Sequence, residues 1–228
     1  MVGPKTNVSA AVKADAYGLG AEKISKSLYG AGCRIFFVAT AGEGKIVRAA
    51  IGDRATIYVL NGPAPRDLTL FFGSQLRPVI NSLTQARIWE DAIAGVRQPP
   101  YCAIHLDTGI NRLGFTQEGD ERLSKNKALQ DKLHVELIMS HLACASDKSS
   151  PYNKEQLAAF RARAARFPVK PLSLANTAGI YLGREYHFQL VRPGIGLYGG
   201  FATTDPAQEK VEPVVSLMAP VLQLKTLQ

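Results

Sequence analysis

The chain has 228 residues, 46% of them hydrophobic and 20% charged, an ordinary globular composition with room for one α/β barrel or two smaller domains. No run approaches the roughly 18 uncharged apolar residues of a membrane span, and the opening "MVGPKTNVSA" lacks the apolar stretch of a signal peptide. The formal charge of +8 comes from scattered basic residues, without a block or an aromatic-interleaved stripe, so a small anion is a better partner than nucleic acid.

Eight β-rich runs follow in order. They are "VSAAVK" (8–13), "RIFFVAT" (34–40), "TIYVLN" (56–61), "LRPVIN" (76–81), "YCAIHLD" (101–107), "HVELIMSHL" (134–142), "KPLSLAN" (170–176) and "FQLVRPG" (188–194). Most are apolar nearly throughout, as strands covered on both faces of a parallel sheet must be. Helical patterns fill the gaps. Over 83–95, Leu83, Ala86, Trp89 and Ile93 fall on one side; over 152–167, Leu157, Phe160, Ala164 and Phe167 do the same. Ser150 and Pro151 read as the cap and first residue of the second helix, and Arg161, Arg163 and Arg166 as its solvated face.

Strands alternating with helices in this number predict a (β/α)8 barrel, with an open doubly wound sheet as the alternative. After residue 200 the texture changes to a polar connector and then a strand-like "VVSLMAPVLQLKTLQ" (214–228). The expected division is therefore a barrel over 1–203, then a connector and the first strand of a further β domain over 204–228. Cys33, Cys102 and Cys144 are odd in number, far apart and in no metal-ligand spacing, which predicts no metal site and a reducing, cytoplasmic setting.

In such barrels the chemistry sits where strands end. Those ends supply Lys13 and Tyr17, His105, Asp107 and Arg112, His141, Asn176 and Thr177, then Arg192, Gly194 and Ile195. Singly each has an ordinary reading: a lysine leaving the core, a structural histidine, a turn aspartate, surface ion pairs. Together they converge. "NTAG" and "RPGIGLYGG" occupy the seventh and eighth loops, where barrels often bind phosphate through exposed backbone N–H groups. A lysine at the mouth of an apolar strand is an amine suited to condense with an aldehyde. A phosphorylated aldehyde held covalently fits the set, and a barrel for a phosphosugar remains open on these residues alone.

The segments "AVKADAYGLG" (11–20), "HLDTGINRLGF" (105–115), "SHLACASD" (140–147), "LANTAG" (174–179) and "VRPGIGLYG" (191–199) resemble, in order, those of bacterial alanine racemases. The resemblance implies a fold-type III pyridoxal 5′-phosphate enzyme, a homodimer interconverting L- and D-alanine for peptidoglycan. By matching position, Lys13 would carry the cofactor and act as base on one face of the substrate Cα. Tyr17, Thr177, Gly194 and Ile195 would bind the phosphate, with Asn176 beside them. His141 would pack on the pyridine ring, Arg192 would face its nitrogen, and Arg112 would orient the substrate side. The second base, in this family a tyrosine of the partner subunit's C-terminal domain, has no counterpart in this sequence. The chain thus resembles the family's barrel trimmed at both ends, and the fragment alone is expected to be nearly inactive.

One position departs from the pattern. Many members carry a lysine, often carbamylated, where His105 stands, paired with the residue matching Arg112. A histidine forms no such carbamate, so Arg112 must be positioned otherwise, a bound anion such as chloride being one means. Two other readings share the fold: a non-catalytic pyridoxal phosphate carrier, and a fold-type III racemase for another small amino acid.

Overall fold

Strands that are apolar on both faces need cover on both, and this chain provides it by rolling its sheet into a barrel wrapped in helices. The computed structural model describes residues 2–169, 171–205, 207 and 210–226. Its strands are β1 (Asn7–Val8), β2 (Ala10–Ala11), β3 (Ile35–Val38), β4 (Thr56–Val59), β5 (Arg77–Ile80), β6 (Cys102–His105), β7 (Val135–Met139), β8 (Leu172–Asn176) and β9 (Leu190–Arg192). They pair in parallel in the order β1-β9-β8-β7-β6-β5-β4-β3-β2.

The two ends of that order are neighbours in the chain, separated only by Ser9. β1 pairs with β9 and β2 with β3, so the single run expected at 8–13 is split into two short strands, the first beginning one residue earlier at Asn7. Ser9 is buried at the seam, where its Oγ donates to Val191 O at 2.9 Å. Each later strand falls within the run predicted for it; of the run at 170–176, Lys170 lies outside the described residues.

Alternation along the strands separates two cores. Phe37, Tyr58, Val79, Ala103, Leu137, Met139 and Leu190 cluster inside the barrel. Their neighbours Phe36, Val38, Ile57, Ile104, Ile138 and Val191 join the larger cluster that includes the helix residues Phe71, Trp89, Leu157 and Phe160. Towards the N-terminal ends of the strands a polar group plugs the barrel. Tyr58 Oη donates to Glu136 Oε1 at 2.6 Å, and Arg77 pairs with the same carboxylate. The C-terminal ends are left for the site.

The helix Leu83–Ile93 starts at Ser82, whose Oγ accepts Gln85 N at 3.2 Å, and it buries the predicted Ala86, Trp89 and Ile93. The helix Tyr152–Ala164 departs from expectation at its start. Pro151 is the cap residue and no side-chain cap bond forms; Asn153 Nδ2 instead donates back to Asp147 O at 2.8 Å. Its arginines are also not a solvated face. Arg161 and Arg166 are exposed, but Arg163 is buried, because Asp120 and two loop carbonyls supply partners for its guanidinium.

The strand expected over 214–228 is not assigned in its described part, 214–226, where Leu217, Met218, Leu222 and Leu224 are exposed. A lone strand has no ladder to stabilise it. Leu227 and Gln228 lie outside the described residues. Among the described residues no helix is long and apolar enough to cross a membrane.

Trp89 measures how far the helix layer holds the barrel. It is fully buried, parallel to Phe72 and edge-on to Phe71, each at 5.7 Å. Trp89→Ala is expected to cost about 3–5 kcal/mol, read as a lower urea midpoint with an unchanged slope.

Candidate active site

The C-terminal strand ends surround one cavity of about 540 Å³, within the usual size of a small-ligand site. Lys13, Tyr17, Arg112, His141, Asn176, Thr177, Arg192, Gly194 and Ile195, the nine residues assigned from sequence, all line it, and so does His105. Three of these side chains are cations, and among the described residues no carboxylate lines the cavity.

Lys13 and Tyr17 reach the cavity through an unusual turn. Ala14, Asp15, Ala16 and Tyr17 all have left-handed backbone, with φ between 52° and 59°. For residues with a Cβ this costs roughly 1–2 kcal/mol each. Three bonds offset the strain: Val12 O accepts Ala16 N at 3.0 Å, Glu43 Oε1 accepts Ala14 N at 2.8 Å, and Asp15 Oδ1 accepts Ala21 N at 2.7 Å. Glu43 is itself fixed, since its other oxygen accepts Ala39 N at 2.7 Å and it belongs to the capping box opened by Thr40. Lys13 Nζ then stands 5.4 Å from the centroid of the Tyr17 ring.

Opposite this turn lies a cradle of small groups. Thr177 Oγ1 accepts Gly194 N at 2.9 Å and Gly196 N at 3.3 Å, drawing the loop after β9 against the loop after β8. Tyr17 Oη lies 2.1 Å from where a Cβ on Gly194 would sit, so only glycine admits the phenol there. Tyr198 packs against the Tyr17 ring at 4.7 Å and donates its hydroxyl to Ala11 O at 2.8 Å, bracing the phenol from behind. Asn176 is already engaged: its Oδ1 accepts Gly179 N at 2.9 Å, and its Nδ2 approaches His141 Nε2 at 3.4 Å.

The charged groups deeper in the cavity are set by burial. Arg192 is 5% exposed and has only uncharged acceptors, Ser173 Oγ and the carbonyls of Ser140 and Leu174. Burial pushes its pKa down to about 9, so it stays a cation near neutrality. His105 and His141 are both pushed down to about 3, first by burial and then by the field of Arg192 and Arg112. Both rings are therefore neutral. His105 Nδ1 donates to Asn81 Oδ1 at 2.9 Å, because the Asn81 amide is committed as a donor to the carbonyls of Leu60 and Val79. Its Nε2 is buried without a hydrogen-bond partner.

Arg112 lies on a loop that closes on itself: Phe115 N donates to His105 O at 2.7 Å and Asp107 N to Phe115 O at 2.9 Å. Asp107 acts as a turn residue, its Oδ1 accepting Gly109 N and Asn111 N at 3.0 and 3.1 Å. Sequence reading missed Glu43, Asn81, Ser140 and Ser173. Asn81 ends a strand run and was reachable by the strand-end rule. The other three support ligand-facing groups from behind; Glu43 stands in the capping-box spacing Thr40-x-x-Glu43, while no local pattern marks Ser140 or Ser173.

The residues fit a phosphorylated aromatic aldehyde. Among the described residues the Lys13 amine at its strand end makes no hydrogen bond or ion pair, a cradle of glycines and Thr177 lies opposite it, and a buried guanidinium lacks a counter-charge among its hydrogen-bond partners. Comparison with known proteins agrees. Residues 1–201 match the family model described as alanine racemase, N-terminal domain. The chain is 44% identical over 220 residues to the alanine racemase of Rickettsia bellii, covering 96% of this chain and 54% of that protein. It is 41% identical over 223 residues to the catabolic alanine racemase of Agrobacterium fabrum, covering 98% and 57%. The alanine racemase of Bartonella henselae, solved with covalently bound pyridoxal phosphate, superposes with a TM-score of 0.85 at 38% identity, covering 93% of this chain and 60% of that one. The chain thus spans little more than half the length of these relatives.

The neutral histidines make stability depend on pH. An unfolded histidine titrates near about 6.5, whereas these two titrate at about 3 in the fold. Between those values the unfolded chain binds more protons, so stability is complete above about pH 6.5 and falls on acidification. His105→Gln is expected to make the slope of unfolding free energy against pH shallower by one proton, read from urea titrations. An unchanged slope means that His105 protonates inside the fold.

Proposed function

Because the chain belongs to the alanine racemase N-terminal-domain family, we propose that it is the cofactor-binding part of a pyridoxal 5′-phosphate enzyme that interconverts L- and D-alanine. Lys13 binds the cofactor aldehyde. Tyr17, Thr177, Gly194 and Ile195 hold the phosphate, with Asn176 alongside, His141 packs on the ring, and Arg192 faces its nitrogen. The bound cofactor supplies an electron sink that makes the Cα–H of an attached amino acid acidic.

The rest is done by the chain's own groups. With the cofactor bound, Lys13 would hold its aldehyde and would serve as the proton-carrying base on one face of the substrate Cα. Arg112 orients the substrate carboxylate from the rim. Arg192 would face the ring nitrogen and leave it unprotonated, since a guanidinium gives up its proton reluctantly. Racemisation also needs a base on the opposite face, which this reading assigns to a partner subunit, outside these 228 residues, in a homodimer. The enzyme works in the cytoplasm and supplies D-alanine for peptidoglycan precursors. One observation carries the reading: Lys13 and the Thr177–Gly194 cradle open onto the same cavity, with Tyr17 reaching from one to the other.

The test is reconstitution with pyridoxal phosphate, borohydride reduction and peptide mapping. The cofactor mass is expected on the peptide containing Lys13 and lost in Lys13→Ala; its appearance on another lysine overturns the assignment. In heavy water, the loaded chain is expected to exchange the Cα proton of one alanine enantiomer with negligible inversion. Full racemisation by residues 1–228 alone would sink the partner-base assignment.

A further inference from the structure

The helix Tyr152–Ala164 buries polar side chains along one edge. Tyr152, Gln156 and Arg163, spaced by four and seven residues, fall on one stripe of a 3.6-residue helix. Each bonds to a loop that borders the cavity. Tyr152 Oη donates to Gly109 O at 3.0 Å. Arg163 donates to the carbonyls of Asp107 and Phe115 at 2.5 and 2.8 Å, gripping both ends of the Arg112 loop. It is balanced there by Asp120, which also pairs with Arg166.

Gln156 differs from the other two because it joins two loops. Its Oε1 accepts Ala143 N at 2.8 Å, and its Nε2 donates to His141 O at 3.1 Å and to Thr108 Oγ1 at 3.3 Å. Thr108 Oγ1 continues to Ser140 Oγ at 2.7 Å. The side chain is 1% exposed, and both hydrogens and the oxygen of its amide are used. One buried amide therefore ties the segment holding His141 to the loop holding Arg112.

Arg112 needs such a tie. It is exposed, and among the described residues its guanidinium makes no hydrogen bond or ion pair. Where it stands is decided by its loop backbone. That loop is already tightly specified: at Gly109, with φ +128°, a Cβ would meet Tyr152 Oη at 2.0 Å, and at Gly114, with φ +113°, one would meet Asp107 N at 2.7 Å.

We propose that Gln156 is a positioning residue, holding the Arg112 loop and the His141 segment, which follow the neighbouring strands β6 and β7, in fixed register at the rim of the cavity. The roles of Arg112 and His141 toward substrate and cofactor rest on the function proposed above; the clamp itself rests on these hydrogen bonds alone. A leucine or methionine would fill the same space and make none of them.

The test uses Gln156→Met in the 228-residue chain. Amide hydrogen exchange is expected to rise together at 107–115 and at 141–143, by roughly tenfold, as loss of about 1.4 kcal/mol implies, while the barrel strands keep their protection. In the pyridoxal phosphate-loaded chain, alanine affinity, followed by cofactor absorbance, is expected to drop about tenfold with the cofactor still on Lys13. Adding Gln156→Met to Arg112→Ala is expected to cost nothing further, because the clamp acts through Arg112. Should the methionine variant fail to fold, Gln156→Glu decides: it keeps an acceptor for Ala143 N but no donor, so 107–115 loosens and Ala143 stays protected. Exchange rising across the whole barrel, exchange rising in one loop only for Gln156→Met, or additive losses with Arg112→Ala would each overturn the proposal. If the wild-type chain takes up no pyridoxal phosphate, the functional reading fails while the exchange data still decide the clamp.

Discussion

Everything at the mouth of this barrel depends on four consecutive residues in the left-handed region, Ala14–Tyr17. An ordinary right-handed turn after β2 would carry the chain away along a different path, and Lys13 and Tyr17 would not face the same cavity. The conformation is costly for residues with a Cβ, so it persists only where its surroundings over-determine it. Glu43 is central to that surrounding. One carboxylate satisfies the backbone N–H groups of Ala14 and Ala39 and also closes a capping box, linking the first strand end to the second crossover helix.

The electrostatics follow from what the barrel buries. Three cations line the cavity, and among the described residues no carboxylate does. Arg192 is held by a hydroxyl and carbonyls, which satisfy its donors without cancelling its charge. That residual positive field, added to burial, keeps His105 and His141 neutral and able to accept hydrogen bonds. An anionic, planar ligand offers what such a cavity lacks. The tie of Asn81 to His105 aims a free Nε2 lone pair without any charge being present.

Much of the fold was legible because parallel strands write their burial on both faces into continuous apolar runs. Apart from Asn7, each strand lies inside the segment that predicts it, and the rule that barrel chemistry sits at strand ends picks out the residues that meet in the cavity. The limits were physical. The helix pattern puts Arg163 in water, where charge on a helix usually faces; it is buried because Asp120 and the ends of a folded-back loop come to meet it. The Ser150–Pro151 pair predicts a serine cap, yet Pro151 is the cap residue and the turn over 147–153 closes through Asn153 instead. The apolar 214–226 segment has strand composition and no strand assignment, since pairing requires a neighbour and not a propensity.

By itself, then, the sequence determined the strand and helix succession, the barrel class and the residues delivered to its C-terminal rim, because these depend on local periodicity and on covalent position. Tertiary structure decided which polar groups are spent on other polar groups. In a linear reading Gln156 and Glu43 look like helix residues facing water, and Asn81, Ser140 and Ser173 like lone polar residues in apolar strand runs. They became supports of the site only when the barrel brought distant backbone N–H and C=O groups within about 3 Å of them. Burial of a polar side chain is a property of what folds against it, and no window of sequence contains that partner.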